Sequence, residues 1–359
     1  MVMNTTAHIH KSPMGWSDKA ITPRRYDLAV IIGRFQPFHN AHEKLIEEAK
    51  KHSDNVLVLI GSSFIARNIK NPFTYDERAA MLPPGTISAP LVDDLYNDQQ
   101  WVAMVQQEIE NELDNIYDTA VGKSVCIIGH HKDDSSYYLD MFPNYEVVEV
   151  PNFDTLDSTT IRDILFGNKM VPADVMPERV KNFIDTWRQN NPALNNALCE
   201  EHKFLKDYKQ MWSNAPFQPV FVTTDAVVIC NGHILLIKRR MAPGKGLWAL
   251  PGGFLGPNER IEDSMLRELE EETRIRIHGD VLRASIKGSQ VFDHPNRSER
   301  GRTITHAYLI VLHERNLPKV RGSDDAERAK WVPLSKFYTM TAEMYEDHYS
   351  IASKMINRA

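Results

Sequence analysis

The stretch from Gly253 to Ile275, GFLGPNERIEDSMLRELEEETRI, constrains this chain more than any other. Its second half is helix-forming. At about 100° per residue, Glu271 falls roughly 60° to one side of Glu268 and Glu272 roughly 40° to the other. Three carboxylates then share one narrow face, where like charges at these spacings repel. A divalent cation removes that repulsion, and Mg²⁺ favours carboxylate oxygens together with the phosphates of a substrate. The other face, Met265, Leu266 and Leu269, is apolar and suited to packing on a core. Arg267 and Glu271 also form an ordinary i,i+4 pair. Taken alone, the carboxylates fit a solvated acidic helix as well as a metal site.

The 359 residues are enough for two domains, each with its own core. A net charge of −6 leaves no electrostatic footprint for nucleic acid or an anionic membrane. Cys126, Cys199 and Cys230 are widely spaced, with no C-x-x-C, which fits a reducing compartment without a zinc site. The first residues lack an apolar signal region, and no apolar run approaches the ~18 residues of a spanning helix. These features predict a cytoplasmic protein with a disordered tail over 1–22. Nothing in the sequence excludes a homo-oligomer.

Strand patterns at Tyr26–Ile32, Asn55–Ile60, Ser124–Ile128 and Tyr145–Val150 alternate with helical patterns at Ala41–His52, Gln100–Leu113, Thr160–Phe166 and Pro177–Gln189. That alternation predicts a parallel, doubly wound sheet over 23–190. The polar, Pro-containing Asn190–Asn196 reads as the boundary, followed by a connecting helix within 191–215. From 216 to 359 the pattern shifts. Strand-like runs Val220–Ile229, His233–Lys238 and Thr303–Leu312 surround the acidic helix, and Trp331–Val332 precedes a C-terminal helix. This predicts a mixed sheet between helices.

Gly33–His42, GRFQPFHNAH, joins the first strand to the first helix, where α/β sheets place phosphate ligands. It is not a Walker A loop, because no G-K-[ST] follows. His39 and His42 flank the helix start, and Arg34 adds a permanent cation suited to phosphate. Ser158 and Thr159 are placed to cap a later helix, with Arg162 one turn in. Thr74 and Glu77 form a capping-box pair in Asn71–Arg78. Gly129–Asp134, with Lys132 and Asp133, follows a strand's carboxyl end. Trp101 is suited to stacking on an aromatic ring.

Gly253, Glu259, Arg267, Glu268, Leu269, Glu271, Glu272 and Ile275 resemble the Nudix box G-x5-E-x7-R-E-U-x-E-E-x-G-U, with Arg274 in place of its last Gly. G-R-F-Q-P-F-H-x-x-H resembles the H-x-G-H loop of nucleotidyltransferases, in particular archaeal-type nicotinamide mononucleotide adenylyltransferases, with Ala41 in place of Gly. Asn71–Arg78 resembles their N-P-F-T-x-x-E-R segment. Leu156–Arg162 resembles their I-S-x-T-x-x-R element, with Asp157 in place of the first Ser.

The resemblance implies an α/β protein: a Rossmann-like nucleotidyltransferase domain followed by a Nudix α/β/α sandwich. It implies transfer of an adenylyl group from ATP to nicotinamide mononucleotide, giving NAD, with His39, His42 and Arg162 catalytic. Gly33, Arg34, Phe35, Gln36, Phe38, Asn71, Trp101, Lys132, Asp133, Ser158 and Thr159 are the expected substrate contacts. In the second half it implies Mg²⁺-dependent hydrolysis of a nucleoside diphosphate derivative. Glu268, Glu271 and Glu272 are expected to hold the ion, with Glu259 and Gly253 completing the set and Mg²⁺ serving both sites.

Val291–Arg302 resembles the D-x-P-x-R-x-x-R-x-R stretch of ADP-ribose-directed Nudix proteins, which makes Arg297 and Arg302 expected diphosphate contacts. The NADH pyrophosphatase pattern is absent. A non-catalytic ADP-ribose sensor is the alternative, but Pro333–Ala359 is too short for the winged helix that accompanies known sensors. Glu271, Glu299 and Glu327 all remain open as the general base.

Overall fold

The computed structural model describes residues 25–358, apart from 131–133, 152, 154–156, 168, 170 and 173. The expected tail over 1–22, Lys132, Asp133 and Leu156 lie outside the described residues.

The first half opens β1 (Leu28–Gly33), α1 (Asn40–His52), β2 (Val56–Ile60), α2 (Tyr75–Ala79), β3 (Ile87–Pro90), α3 (Asp98–Tyr117), β4 (Val125–Gly129) and β5 (Glu146–Glu149). Helices α4 (Ser158–Phe166), α5 (Glu178–Asn190) and α6 (Pro192–Met211) follow. The strands form a five-stranded sheet in the order β3-β2-β1-β4-β5, and every pair in it is parallel. Alternate residues of β1 face opposite layers. Ala29 and Ile31 pack with Ile46 of α1, Ile161 of α4 and Ile184 of α5, while Leu28 and Val30 pack with Val105 and Ile109 of α3. Both faces are covered by helices, as an all-parallel sheet requires. The chain leaves β1 in one direction and β4 in the other, so the carboxyl ends of β1 and β4 open a crevice at the switch point.

At Asn190–Asn196 one helix closes as expected, but the gap before the next helix is a single residue. α5 ends at Asn190 and α6 starts at Pro192, where proline's fixed φ and missing N–H suit the first turn of a helix. Leu198 and Leu205 of α6 are buried in the first core.

The second half contains β6 (Phe221–Cys230), β7 (His233–Arg239), β8 (Trp248–Ala249), β9 (Gly252–Phe254), α7 (Ile261–Thr273), α8 (Gly279–Ala284), β10 (Ile286–Phe292), β11 (Thr303–Leu312), β12 (Ala326–Pro333), α9 (Leu334–Phe337) and α10 (His348–Ile356). Its seven-stranded sheet runs β10-β11-β6-β7-β12, with β8 on β7 and β9 on β6. β11 and β6 are parallel and the other pairs antiparallel. Met265, Leu266 and Leu269 of α7 pack on Ala226, Val228 and Leu235 of one sheet face, as their spacing predicts. α9 and α10 cover the other face through Phe337, Ile351 and Met355. Strands β3 and β10 were not visible in the sequence pattern. Both are edge strands, and partly or largely exposed positions weaken their periodicity.

Candidate functional sites

The crevice beyond β1 and β4 is a cavity of about 680 Å³. Gly33, Arg34, Phe35, Gln36, His39 and His42 reach it from the first loop, Trp101 from α3, and Ser158, Thr159 and Arg162 from α4. The first loop is held rigid. Arg78, fully buried, donates from Nη1 to the carbonyls of Arg34 at 2.7 Å and Gly61 at 2.6 Å, and from Nη2 to that of Ser62 at 3.2 Å. Its own helix starts with the expected capping box, in which Thr74 N–H donates to Glu77 Oε2 at 2.8 Å. The Gln36 side chain pairs with Phe73, donating Nε2–H to its carbonyl at 2.8 Å and accepting its N–H at 3.0 Å. Gln36 therefore shapes the wall, because its amide is already spent on protein.

His39 caps α1, and its N–H donates to His42 Nδ1 at 3.2 Å. The two imidazoles lie 3.7 Å apart, centroid to centroid, and the Phe35 ring packs edge-on against His42 at 4.8 Å. The histidines thus present as a pair beside the free N–H groups of a helix start. Arg162 is buried and donates to the Gln36 carbonyl at 2.7 Å and to Thr159 Oγ1 at 3.1 Å. Burial, then the nearby Arg34 cation, pulls its pKa down to about 10, so it stays charged at neutral pH. Among the described residues neither arginine has a carboxylate within ion-pair distance. Two cations that repel each other across a cavity at a helix start make a site for an anion with several charges.

Some expected contacts fall elsewhere. Phe38 is fully buried in the core, with Arg179 over its ring, and does not reach the cavity. Asn71 sits in a turn with Asn68 and lines no part of the cavity. The cap of α4 is Asp157, whose Oδ1 accepts from Thr160 N–H at 2.8 Å, rather than Ser158. Ser158 instead donates its hydroxyl to the Pro37 carbonyl at 3.2 Å, tying α4 to the first loop. Residues not expected include Asp93, Asp98, Tyr138, Phe153 and, from the second half, His294. Asp93 follows the carboxyl end of β3 and would have been found had that strand been recognised.

The second site lies where β9 meets α7. Arg267 gathers three carboxylates. It is bidentate to Glu259 at 2.9 and 2.7 Å, and its Nη1 reaches Glu268 at 3.0 Å and Glu271 at 2.9 Å. Hydrogen bonding to Arg267 holds the Glu259 carboxyl down to about 2. Glu272 is buried on the other side, accepts the Gly252 N–H at 2.9 Å, and is pushed up to about 8 by burial. Burial also raises Glu268. Gly253 lies directly beneath Glu268, where a Cβ would stand 2.4 Å from its Oε1. Arg274 takes the left-handed conformation, φ +45°, that the missing Gly would supply, so the helix stop is kept.

Among the described residues no three acidic or imidazole groups converge closely enough to hold an ion as they stand. The expected ligands are instead split between Arg267 and the Gly252 N–H. The donor set still fits a hard cation. Its donors are carboxylate oxygens, two of them raised by burial, and a positive charge relieves that strain.

The loop after β10 does not present both arginines to this site. Arg297 is buried and bidentate to Asp347, at 2.9 Å for each bond. Arg302 donates to the Asp293 carbonyl. Glu299 faces Lys70 at 3.3 Å and stands near Arg162 of the first half.

The cytidylyltransferase-like family matches residues 30–150, and the NUDIX domain family matches residues 220–355. A nicotinamide/nicotinic acid mononucleotide adenylyltransferase of Acinetobacter baylyi is 34% identical over 174 residues, which cover 46% of this chain and 89% of that protein. An ADP-ribose pyrophosphatase of Methanocaldococcus jannaschii is 34% identical over 115 residues, 32% of this chain and 62% of that one. A bifunctional NMN adenylyltransferase/ADP ribose pyrophosphatase of Francisella tularensis, solved with AMP and a manganese ion, is 36% identical. It superposes with a TM-score of 0.85 over 93% of this chain and 99% of that one. Fold and sites together define a nucleotidyltransferase of the cytidylyltransferase-like class joined to a NUDIX domain. The chain belongs to the family of bifunctional NMN adenylyltransferase/ADP-ribose pyrophosphatases.

Proposed function

We propose that the chain catalyses two reactions of NAD metabolism. Residues 23–190 transfer an adenylyl group from ATP to nicotinamide mononucleotide, giving NAD and pyrophosphate. Residues 216–359, joined through 191–215, hydrolyse ADP-ribose to AMP and ribose 5-phosphate. The observation that carries the first reading is the pair of cations, Arg34 and Arg162, with no carboxylate at ion-pair distance among the described residues, beside the His39–His42 pair in one cavity. The likeness to the Francisella enzyme over nearly the whole chain supports both.

In the transferase the mononucleotide phosphate attacks the α-phosphorus of ATP in line and pyrophosphate leaves. No protein nucleophile is needed. His39 and His42 donate to oxygens of the phosphoryl group in transit, and Arg162 and Arg34 take the charge that builds on the leaving phosphates. In the hydrolase Glu268, Glu271 and Glu272, with Glu259, would hold divalent cations, and Arg267 orients the carboxylates it contacts. Mg²⁺ in either site supplies charge neutralisation, and in the hydrolase also polarisation of the diphosphate and of water.

We take the partners to be small-molecule nucleotides in the cytoplasm, not nucleic acid or membrane. Among the described residues no helix is long and apolar enough to cross a membrane.

The test uses the full chain with His42→Ala and Glu271→Gln. His42→Ala should cut NAD synthesis about 10²–10³-fold, the effect of losing one charge-stabilising donor, and leave ADP-ribose hydrolysis intact. Glu271→Gln should do the reverse. ADP-ribose binding without AMP from the wild-type chain would instead make the second domain a sensor. Adenylyl transfer to another acceptor but not to nicotinamide mononucleotide would discard the first substrate.

A further inference from the structure

The transferase cavity is not closed by its own domain. His294, two residues beyond β10, forms part of its wall. The loop that carries it is clamped to the first half on several sides. Tyr96 donates its hydroxyl to Asp347, the residue that also holds Arg297. The Phe292 ring packs edge-on against Tyr96 at 5.0 Å, and Lys70 pairs with Glu299 at 3.3 Å. Lys354 of α10 donates to the Tyr96 carbonyl. The imidazole is therefore placed by rigid neighbours rather than left on a free loop.

Its protonation pattern is set as well. The Asn296 N–H donates to His294 Nδ1 at 3.2 Å, so in the neutral ring the proton sits on Nε2. Burial and the Lys70 cation lower the pKa, against the pull of Asp347 and Asp98, with Arg302 lowering it further. The neutral ring thus dominates at neutral pH. Among the described residues Nε2 has no acceptor, so a half-buried N–H donor borders the cavity without a protein partner.

The end of the cavity it borders follows from its neighbours. His39, His42, Arg34 and Arg162 crowd the end where phosphates belong. His294 lies 6.4 Å from the Tyr96 ring, centroid to centroid, and feels Asp98 in the first turn of α3, the helix that supplies Trp101. That is the end suited to the base of the acceptor, where Trp101 offers an aromatic face.

We propose that His294, carried by the NUDIX domain, is a substrate-binding residue of the transferase site. Its Nε2–H donates to an oxygen substituent on the base of the mononucleotide acceptor. This rests on the reading of the first cavity as a nicotinamide mononucleotide site.

The test is steady-state kinetics of the full-length chain with His294→Ala and His294→Gln. His294→Ala should raise KM for nicotinamide mononucleotide about three- to tenfold, the worth of one neutral hydrogen bond. KM for ATP, and the rate of ADP-ribose hydrolysis, should stay within about twofold of wild type, well below that effect. His294→Gln, which keeps an N–H donor, should recover most of the loss. An unchanged KM for the mononucleotide overturns the proposal. Parallel losses in both activities, or a Gln variant as weak as Ala, also overturn it, because they indicate a packing role. A wild-type chain that does not turn over nicotinamide mononucleotide removes the underlying reading first, and this proposal with it.

Discussion

Arg297 separates two accounts of the loop after β10, and replacing it by Met distinguishes them. If Arg297 grips a diphosphate, its loss weakens ADP-ribose binding and leaves the fold alone. The structure implies the opposite. Both bonds to Asp347 are 2.9 Å long, and the side chains are 3% and 1% exposed. Burial by itself would lower the Arg297 pKa, but the Asp347 and Asp225 charges outweigh it and raise it. Removing one member of such a pair leaves the other charge buried and uncompensated, at a cost of about 3–5 kcal/mol. For a domain of this size that is roughly 6–20 °C in Tm. Asp347→Asn should cost a similar amount, although Asn can still accept from Tyr96. The double variant should lose clearly less than the sum of the two, because neither stranded charge remains. Thermal melts of the full chain, followed alongside KM for ADP-ribose, decide between the accounts. An Arg297→Met chain that melts within about 1 °C of wild type, less than 1 kcal/mol by the same conversion, while its KM for ADP-ribose rises tenfold would refute the argument.

Three further outcomes are expected. Gly253→Ala drives a Cβ into the flexible end of Glu268, so hydrolysis should fall at least tenfold while Tm and NAD synthesis hold; unchanged hydrolysis would show that Glu268 can be displaced harmlessly. Glu272 has a folded pKa of about 8 against an ordinary 4.5, so the folded state keeps a proton that the unfolded state has already lost. Metal-free stability contributed at this site should therefore decline as pH rises from about 5 to about 8, and in EDTA the Tm of wild type relative to Glu272→Gln should fall over that window; a constant difference refutes it. Arg274→Gly relieves a left-handed backbone that disfavours a side chain by about 1–2 kcal/mol, offset in part by loss of the Arg274–Ser323 hydrogen bond, so a Tm higher by a few degrees is expected. A lower Tm would mean that the Ser323 contact outweighs the strain.

What the sequence revealed and what it concealed follow from how far apart the interacting residues lie. The apolar side of α7 was legible because helical spacing alone puts Met265, Leu266 and Leu269 on one face, whereas the split of Glu268 and Glu271 from Glu272 depends on Arg267 and on the Gly252 N–H from β9. Thr74 and Glu77 were legible as a capping box for the same local reason. Gln36 was not legible as a structural residue, because its partner Phe73 comes from another loop. The sequence around Arg78 marks a helix but cannot show that its guanidinium fastens the carbonyls of the phosphate loop.

The loop after β10 is the sharpest case. A row of arginines reads as a site for phosphate until an acid fifty residues later folds over one of them. Asp347 makes that choice, and Tyr96 from the other domain shares it. Once Arg297 is spent on the latch, the loop's freedom is spent too, and His294 is delivered to a cavity whose other walls come from the first half of the chain. Substitutions in this hydrolase loop should then register in the transferase's affinity for its acceptor. The proper readout of the loop is NAD synthesis as well as ADP-ribose hydrolysis.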